Sequence, residues 1–217
     1  MIYLLDSDVA KKLAQFDLIN ELTSSLNCQL AQLAILPQLK YQLCLHSQEK
    51  ALKKLGTKSA VAAINLLILH AREIEIGLDA ANPILNLDAP DLDSGEKTLL
   101  AALASDEQSS MLTGDKRALI AISKITEPPI IIQLWPRILS LEECIFYIVR
   151  SHDFILISKK IRTNPNADNG ISMIFGRSEA SDYDSVIEGL TSFMSNLHRD
   201  TSSLYQLPHG NSSTLHT

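Results

Sequence analysis

The sequence has few cysteines, few aromatic residues and no excess of positive charge. Its three cysteines, Cys28, Cys44 and Cys144, show no CxxC spacing, so we expect neither a zinc cluster nor a disulfide framework, and a reducing interior suits them best. Aromatic residues make up 5% of the 217 residues, and Trp135 and the five tyrosines are too scattered to predict a base-stacking platform. The six histidines show neither HxH nor HxxxH spacing, so none is interpreted as catalytic. The formal net charge is −6, so any binding to a polyanion needs a local basic patch or bound metal ions.

Long apolar runs are also missing. The longest, AVAAINLLIL at 60–69, is about half of the roughly 20 residues that a membrane-spanning helix needs. The N-terminus, MIYLLDSD, has an apolar run of only four residues before Asp6 and no basic lead-in, which does not fit a signal peptide. We therefore expect no membrane association and a cytoplasmic location.

What the sequence does contain is a folded-protein composition with alternating strand and helix patterns. Hydrophobic residues make up 46% and charged residues 20% of the chain. IYLLD is predicted as a buried strand, SSMLTGD as a short apolar strand and PPIIIQLW as a strand buried on both faces, and helical patterns lie between them. This alternation predicts an α/β fold with a central parallel sheet flanked by helices. The predicted organisation is a domain at 1–140, a mainly helical extension at 141–197 and a disordered tail at 198–217.

Helical spacing predicts further boundaries. Val186, Leu190, Phe193 and Leu197 share one face of the last helix. EIEIG at 73–77 fits a short strand or a fraying helix end, DFILIS fits a strand or more helix, and 163–170 fits a loop. The predicted helices are 8–23, a long one from Pro37 to Gly56, 58–71, 95–105, 115–124, one over SLEECIFYIVR, and 183–197.

Three acidic residues follow these elements closely. Asp6 ends the first strand, Asp115 ends the SSMLTG strand, and Glu96 lies in the first turn of the helix between them. In open parallel sheets, functional side chains gather at the carboxyl ends of the strands. Converging carboxylates repel one another unless a divalent cation neutralises them, and Mg²⁺ and Mn²⁺ prefer oxygen ligands. The pattern therefore favours metal-assisted hydrolysis of a phosphodiester.

Helix capping is the alternative explanation for the same acids. Asp93 and Glu96 have the spacing of a capping box, and Asp8 and Asp115 each stand at a helix start. Asp93 is best interpreted as the cap. Glu96 can serve the cap and the metal site from the same helical turn.

Two stretches resemble a known family of nucleases. IYLLDSDVAKKL is similar to the opening of PIN-domain nucleases, in which a buried strand runs into an Asp followed by a Ser or Thr and a small polar residue. LDSGEKTLLAALASDEQSSMLTGDKRAL resembles a PIN subgroup in which Asp-x-Gly-Glu opens an alanine-rich helix, a short apolar strand follows, and an Asp begins the next helix. The resemblance covers about residues 1–140.

The resemblance implies a three-layer PIN-like domain and a metal-dependent endoribonuclease, either toxin-like or RNA-processing. It implies Mg²⁺ or Mn²⁺ bound by Asp6, Glu96 and Asp115, with Asp8, Gln42 and Asp93 close to the ions. RNA is then a partner, and a protein inhibitor or a second copy of the chain are further partners that such toxins often have.

One position departs from the family pattern. The family's remaining acid usually lies on a helix in a pattern ending Glu-Leu, and here that pattern reads PQLKYQL, with Gln42 in place of the acid. Glu49 lies two turns further along the predicted helix, too far to substitute. Either three carboxylates suffice or the site is impaired.

Basic residues suggest where RNA phosphates would bind. Lys50, Lys53 and Lys54, with Lys58 nearby, form a local basic face, for which a solvated helix surface is the simpler explanation. Arg117, two residues after Asp115, is the better candidate for contacting a phosphate. A smaller cluster, Lys159, Lys160 and Arg162, has the same ambiguity.

Two other functions stay open. The first is a PIN-like scaffold that binds without catalysis, which Gln42 favours; the apolar helix 183–197 would then contact a partner, mediate dimerisation or pack against the main domain. The second is a haloacid-dehalogenase-type phosphatase, in which Asp6 is the nucleophile and Asp8 the general acid. It is disfavoured because GDKRALIAI lacks the second acid of that motif and Lys97 is wrongly placed.

Overall fold

A computed structural model of the protein describes residues 1–75, 83–87, 89–125, 127 and 129–208. Its centre is a five-stranded sheet in which every neighbouring pair of strands is parallel. The strands are β1 (Ile2–Leu5), β2 (Leu33–Ile35), β3 (Arg72–Glu73), β4 (Ser109–Thr113) and β5 (Ile138–Ser140), in the spatial order β3-β2-β1-β4-β5.

Helices precede or follow each strand and cover both faces of the sheet, which confirms the predicted three-layer α/β fold with a helical C-terminal region. The inner strands read as apolar runs because they are buried on both faces. The α-helices are α1 (Ser7–Gln15), α2 (Ile19–Ser25), α3 (Leu39–Gln42), α4 (Gln48–Leu55), α5 (Lys58–His70), α6 (Ser94–Ser105), α7 (Lys116–Ser123), α8 (Ile130–Leu134), α9 (Leu141–Ser151), α10 (Phe154–Thr163), α11 (Asn169–Ile174) and α12 (Tyr183–Asp200).

The register of the central strands sets the position of the acids. Leu5 of β1 lies opposite Leu112 of β4, so both strands end at the same level of the same sheet edge. The residues that follow, Asp6 on one side and Gly114 and Asp115 on the other, therefore emerge side by side. This is the edge at which parallel α/β sheets place their functional groups.

The strand predicted over PPIIIQLW is wrong. Residues Ile130–Leu134 form α8, and the next strand is β5, which begins at Ile138. Pro129 starts the helix with a φ of −57°, a value that proline adopts and that suits a helix. Ile131 and Leu134 are buried three residues apart, whereas Ile132 between them is 53% exposed, so the run is amphipathic with helical periodicity.

Two predicted helices are each interrupted. The helix predicted at 8–23 divides into α1 and α2 because Asp17 takes a left-handed conformation, with φ at 57°. The helix predicted from Pro37 to Gly56 divides into α3 and α4, with Cys44 at a φ of 55° between them and Ser47 capping α4. Left-handed residues end helices, and neither break has a Gly or Pro to announce it.

The part of the chain after Ser140 joins the same apolar core as the part before it. α9 packs against α2, α12, β4 and β5, and DFILIS is part of helix α10. The apolar face of α12 is buried against α9, so this face is used in packing within the chain, and Met194 takes the buried position that the sequence assigned to Phe193.

The boundaries at the end of the chain also differ from the prediction. The 163–170 loop ends two residues earlier than predicted, since α11 begins at Asn169. The prediction of a disordered tail from residue 198 is wrong for its first part, because α12 continues to Asp200 and the Tyr205 side chain is fully buried. Residues 209–217 of that tail and residues 76 and 77 of EIEIG lie outside the described residues. Within those described, every helix falls short of the length and apolar character that a membrane crossing requires.

Candidate functional site

A polar cavity of about 650 Å³ opens at the carboxyl ends of β1 and β4. Its size is within the range of small-ligand sites. Seven of the residues singled out from the sequence line it, and they come from four separate segments of the chain: Asp6, Asp8, Gln42, Asp93, Glu96, Asp115 and Arg117. The fold therefore brings the predicted site residues together, with the three lysines of α4 as the exception.

Asp6 lies at the bottom of this cavity, immediately after β1. Its backbone amide donates to the carbonyl of Leu112 at 3.0 Å, which extends the β1–β4 pairing by one step. Its carboxylate accepts from the Thr113 hydroxyl at 3.5 Å. Burial, together with the nearby Asp8 carboxylate, raises the pKa of Asp6 to about 6.

Glu96 serves as a capping residue and also faces the cavity. The Asp93 carboxylate accepts from the Glu96 amide at 2.8 Å, and the Glu96 carboxylate accepts from the Asp93 amide at 2.7 Å. This reciprocal pair confirms the predicted capping box. Burial raises the pKa of Glu96 to about 7, an effect that the Asp93 amide opposes and the adjoining Asp115 carboxyl group reinforces. The cap and the acidic pair therefore occupy one helical turn.

Asp115 follows β4 and is the N-cap of α7. Its carboxylate accepts from the Ala118 amide at 2.9 Å, so the capping interpretation holds here as well. The residue before it, Gly114, passes close to Asp8: a Cβ at this position would lie 3.1 Å from Asp8 Oδ2. This close approach lets β1 and β4 present their acids to one cavity.

Asp8 lies at the edge of the cavity in a bridged cluster. Lys12 Nζ is 2.6 Å from Asp8 Oδ2 and 2.8 Å from Asp168 Oδ2. Asp168 is the N-cap of α11 and lines the cavity, and its ion pair with Lys12 holds its pKa below the usual value, against the effect of burial. Asp8 is thus not a helix cap: it lies inside α1, and Asp6 is the N-cap residue.

The C-terminal part of the chain supplies a second wall that the sequence did not predict. Lys116 Nζ pairs with the buried Glu142 at 2.6 Å and lies 4.5 Å from the centre of the Phe193 ring. Leu141, Glu142, Asp168, Gly170 and Phe193 form this wall, here called the extension wall. These residues are 26 to 78 positions beyond Asp115, and no local motif marks them. The adjacent acids after the capping Ser140 were the one available signal.

Gln42 lines the cavity, as its predicted place beside the acids requires. It is the last residue of the short helix α3 and is exposed. Glu49 lies on α4, a different helix, so the prediction that both share one helix face is wrong. The position where the family pattern has an acid is therefore at the site but uncharged.

The predicted phosphate-binding residues separate into two groups. Arg117 is exposed and lines the cavity, and it forms no ion pair with another described residue. Lys50, Lys53 and Lys54 line a different cavity of about 360 Å³ together with Cys44. In the smaller cluster, Lys160 pairs with Asp17 and Glu21, and Arg162 donates to the carbonyls of Gly176 and Ser178.

The chemistry of the donors fits a hard divalent cation. Carboxylate oxygens from Asp6, Glu96 and Asp115 are the ligands that Mg²⁺ and Mn²⁺ prefer. Burial is the main cause of the raised pKa values of Asp6 and Glu96, and a neighbouring carboxyl group, Asp8 or Asp115 respectively, adds to the effect. As arranged here, no three Asp, Glu, His or Cys side chains within the described part of the chain stand close enough to hold an ion, so binding requires side-chain rotation.

No family model, curated protein or solved structure matches this chain. The likeness to PIN nucleases is therefore carried by the quoted residues alone. Any function has to be inferred from the cavity and its chemistry.

Proposed function

We propose that the protein is a metal-dependent endoribonuclease of the PIN type that hydrolyses phosphodiester bonds with Mg²⁺ or Mn²⁺. The observation that carries this proposal is the meeting of Asp6, Glu96 and Asp115 in one cavity at the carboxyl edge of the sheet. Two of these acids have raised pKa values, which a bound cation would bring down.

Each group in the cavity has a role in this proposal. A bound Mg²⁺ or Mn²⁺ would supply positive charge against the phosphate and would lower the pKa of a water molecule that attacks phosphorus. Asp6, Glu96 and Asp115 would hold the cation, for which Glu96 and Asp115 would turn away from the backbone amides of Asp93 and Ala118 that they now accept from.

Lys116 and Arg117 would attract phosphate locally, at a cavity that seven carboxylates also line and in a chain whose net charge is −6. Arg117 is exposed at the mouth and Lys116 lies beside it, so the two charged groups border the same opening. Neutralising phosphates with such groups supplies much of the affinity for RNA. A protein inhibitor, if one exists, would have to cover this opening.

The experiment is a cleavage assay on single-stranded RNA with Mn²⁺ or Mg²⁺, using the wild type and Asp6→Asn. We expect cleavage by the wild type, its loss in EDTA, and a loss of at least about a hundredfold in Asp6→Asn, because a direct ligand is removed. Glu49→Gln is the matched control, since Glu49 is an exposed acid on α4 that does not line the cavity. Equal activity in Asp6→Asn and the wild type contradicts the proposal.

A binding scaffold without catalysis is the second candidate, and the uncharged Gln42 at the cavity favours it. Gln42→Glu distinguishes the two. If the missing charge has impaired the site, Gln42→Glu gains Mn²⁺ affinity and cleavage over an inactive wild type. If three carboxylates suffice, the wild type is active and the variant changes little.

The phosphatase alternative is less well supported, because the Asp8 carboxylate is bound by Lys12 at 2.6 Å and would have to leave it to donate a proton. Release of phosphate from a small phosphomonoester, with no cleavage of RNA, would favour it over the nuclease.

A further inference from the structure

Phe193 is a large aromatic side chain that the fold leaves outside its core. Its neighbours on α12, Val186, Leu190, Met194 and Leu197, are buried, whereas Phe193 is partly exposed and lines the polar cavity. Burying a phenylalanine ring strongly stabilises a protein. Its place at a charged cavity therefore calls for an explanation other than core packing.

The surroundings of Phe193 hold its ring in place. Lys116 Nζ lies 4.5 Å from the ring centre, within the range of a cation–π contact. Gly170 lets the ring edge come close, because a Cβ at that position would lie 3.2 Å from Phe193 Cε1. Lys116 is itself fixed by Glu142, whose side chain is only 7% exposed. The ring is thus positioned by contacts with α7 and α11.

Two cationic groups from the start of α7 border the extension wall. Lys116 and Arg117 come directly after Asp115 and line the same cavity as Phe193, and Lys116 is the one that contacts the ring. Single-stranded nucleic acid is bound by this combination, in which cations contact phosphates and an aromatic side chain stacks on a base. A base inside a duplex is stacked on its neighbours and cannot reach such a ring.

We propose that the extension wall and the start of α7 together form a nucleotide subsite, in which Phe193 stacks on an unpaired base while Lys116 and Arg117 contact its phosphate. The subsite rests on the proposed function, since it assumes that RNA enters the cavity, and it narrows the substrate to unpaired RNA. Phe193 and the two cations bind and position the substrate.

The test separates base binding from phosphate binding and needs no metal. Fluorescence anisotropy in EDTA at low ionic strength compares labelled hexauridylate with a hexamer of the same charge made of abasic ribose phosphates. The wild type is expected to bind hexauridylate about tenfold more tightly, in line with one stacked base. Phe193→Ala is expected to lose most of that preference and Phe193→Trp to keep it. Lys116→Met is expected to weaken both hexamers.

Tyr183→Ala is the matched control, because Tyr183 is a 40% exposed aromatic residue on the same helix and does not line the cavity. It should bind both hexamers as the wild type does. Thermal melting shows whether each variant is folded. If Phe193→Ala is unfolded, Phe193→Trp still tests the proposal. Loss of the preference for hexauridylate in a folded Phe193→Trp variant would contradict stacking.

The outcomes distinguish failure of the subsite from failure of the nuclease. The subsite is overturned, and the nuclease is not, if the wild type cleaves RNA with Mn²⁺ but binds the two hexamers equally. The subsite is also overturned if Phe193→Ala keeps the full preference for hexauridylate. A base preference that depends on Phe193 without cleavage supports the subsite and overturns the nuclease. Absence of both hexamer binding and cleavage overturns both proposals.

Discussion

The protein contains two acidic clusters, a buried one around Glu143 and a partly exposed one at the cavity, and the two differ in what surrounds their carboxylates. Glu143, in the first turn of α9, receives the Tyr205 hydroxyl at 2.6 Å and the Tyr147 hydroxyl at 3.0 Å, and Ser140 caps its backbone amide at 3.1 Å. Asp6 accepts from the Thr113 hydroxyl and from backbone amides of Ser7, Asp8 and Gly114, and Glu96 accepts from the Asp93 amide. Each of these two acids also lies beside another carboxyl group, Asp8 and Asp115 respectively. Burial raises the pKa in both clusters.

The difference indicates what each cluster is for. The protein itself supplies hydrogen-bond donors to Glu143, as it does for a structural buried acid. At the cavity the acids face one another, so their charge has to be neutralised by protons or by a ligand from outside. We therefore expect substitutions at the two clusters to change Tm in opposite directions. Metal affinity should change only with substitutions at the cavity.

The largest expected effect is on cleavage. Glu96→Gln and Asp115→Asn should each lower kcat/KM for RNA by at least about a hundredfold, because each removes a charged ligand. Tyr147→Phe alters the other cluster and should change kcat/KM less than about threefold. A loss in Tyr147→Phe as large as in the two acid variants would contradict the assignment.

Stability should change in opposite directions. Tyr205→Phe removes the 2.6 Å hydrogen bond to a buried carboxylate, which costs about 1–3 kcal/mol and lowers Tm by roughly 2–10 °C. Asp6→Asn in EDTA should raise Tm by roughly 2–4 °C, because it removes a charge that the folded state disfavours. Differential scanning calorimetry measures both, and a lower Tm in Asp6→Asn would show that the Asp6 charge is already satisfied.

The stabilisation by Asp6→Asn should depend on pH. Folding raises the pKa of Asp6 from 3.8 to about 6, so the folded state binds this proton more tightly than the unfolded chain does. The Asp6 side chain therefore adds to the free energy of unfolding at low pH, and this stabilisation is lost as the pH rises through about 6. The Tm difference in EDTA between Asp6→Asn and the wild type should be larger at pH 8 than at pH 4. A difference that grows as the pH falls contradicts this linkage.

The smallest expected effect concerns the cations. Arg117→Ala should raise KM for RNA several-fold, because Arg117 is exposed at the cavity mouth. Lys53→Ala should change KM less than about twofold, since Lys53 lines a different cavity. Steady-state kinetics at fixed salt compares the two, and equal effects would extend the RNA path to α4.

The central part of the fold and the acids could be predicted from the sequence. Apolar runs that end in Asp6 and Asp115 predict parallel strands with acids at their carboxyl ends, whereas the pairing of these two strands, β1 with β4, is known from the structure alone. The Asp93 and Glu96 spacing predicts the capping box, which depends on four consecutive residues only.

The extension wall and several boundaries could not be predicted, for two physical reasons. Glu142, Asp168 and Phe193 reach the cavity through tertiary packing of α9, α11 and α12, and no local pattern encodes such contacts. The three isoleucines of α8 suit a strand or a buried helix equally well, and only Ile132, exposed in the fold, shows the helical period.

The central claim is that the acids at the cavity need an external cation and Glu143 does not. Isothermal titration of Mn²⁺ at pH 7.5 into the wild type, Asp6→Asn and Tyr147→Phe tests it most directly. We predict a saturable site in the wild type and in Tyr147→Phe, and its loss or a weakening of at least tenfold in Asp6→Asn. Absence of a site in the wild type, or equal affinity in Asp6→Asn, would contradict it.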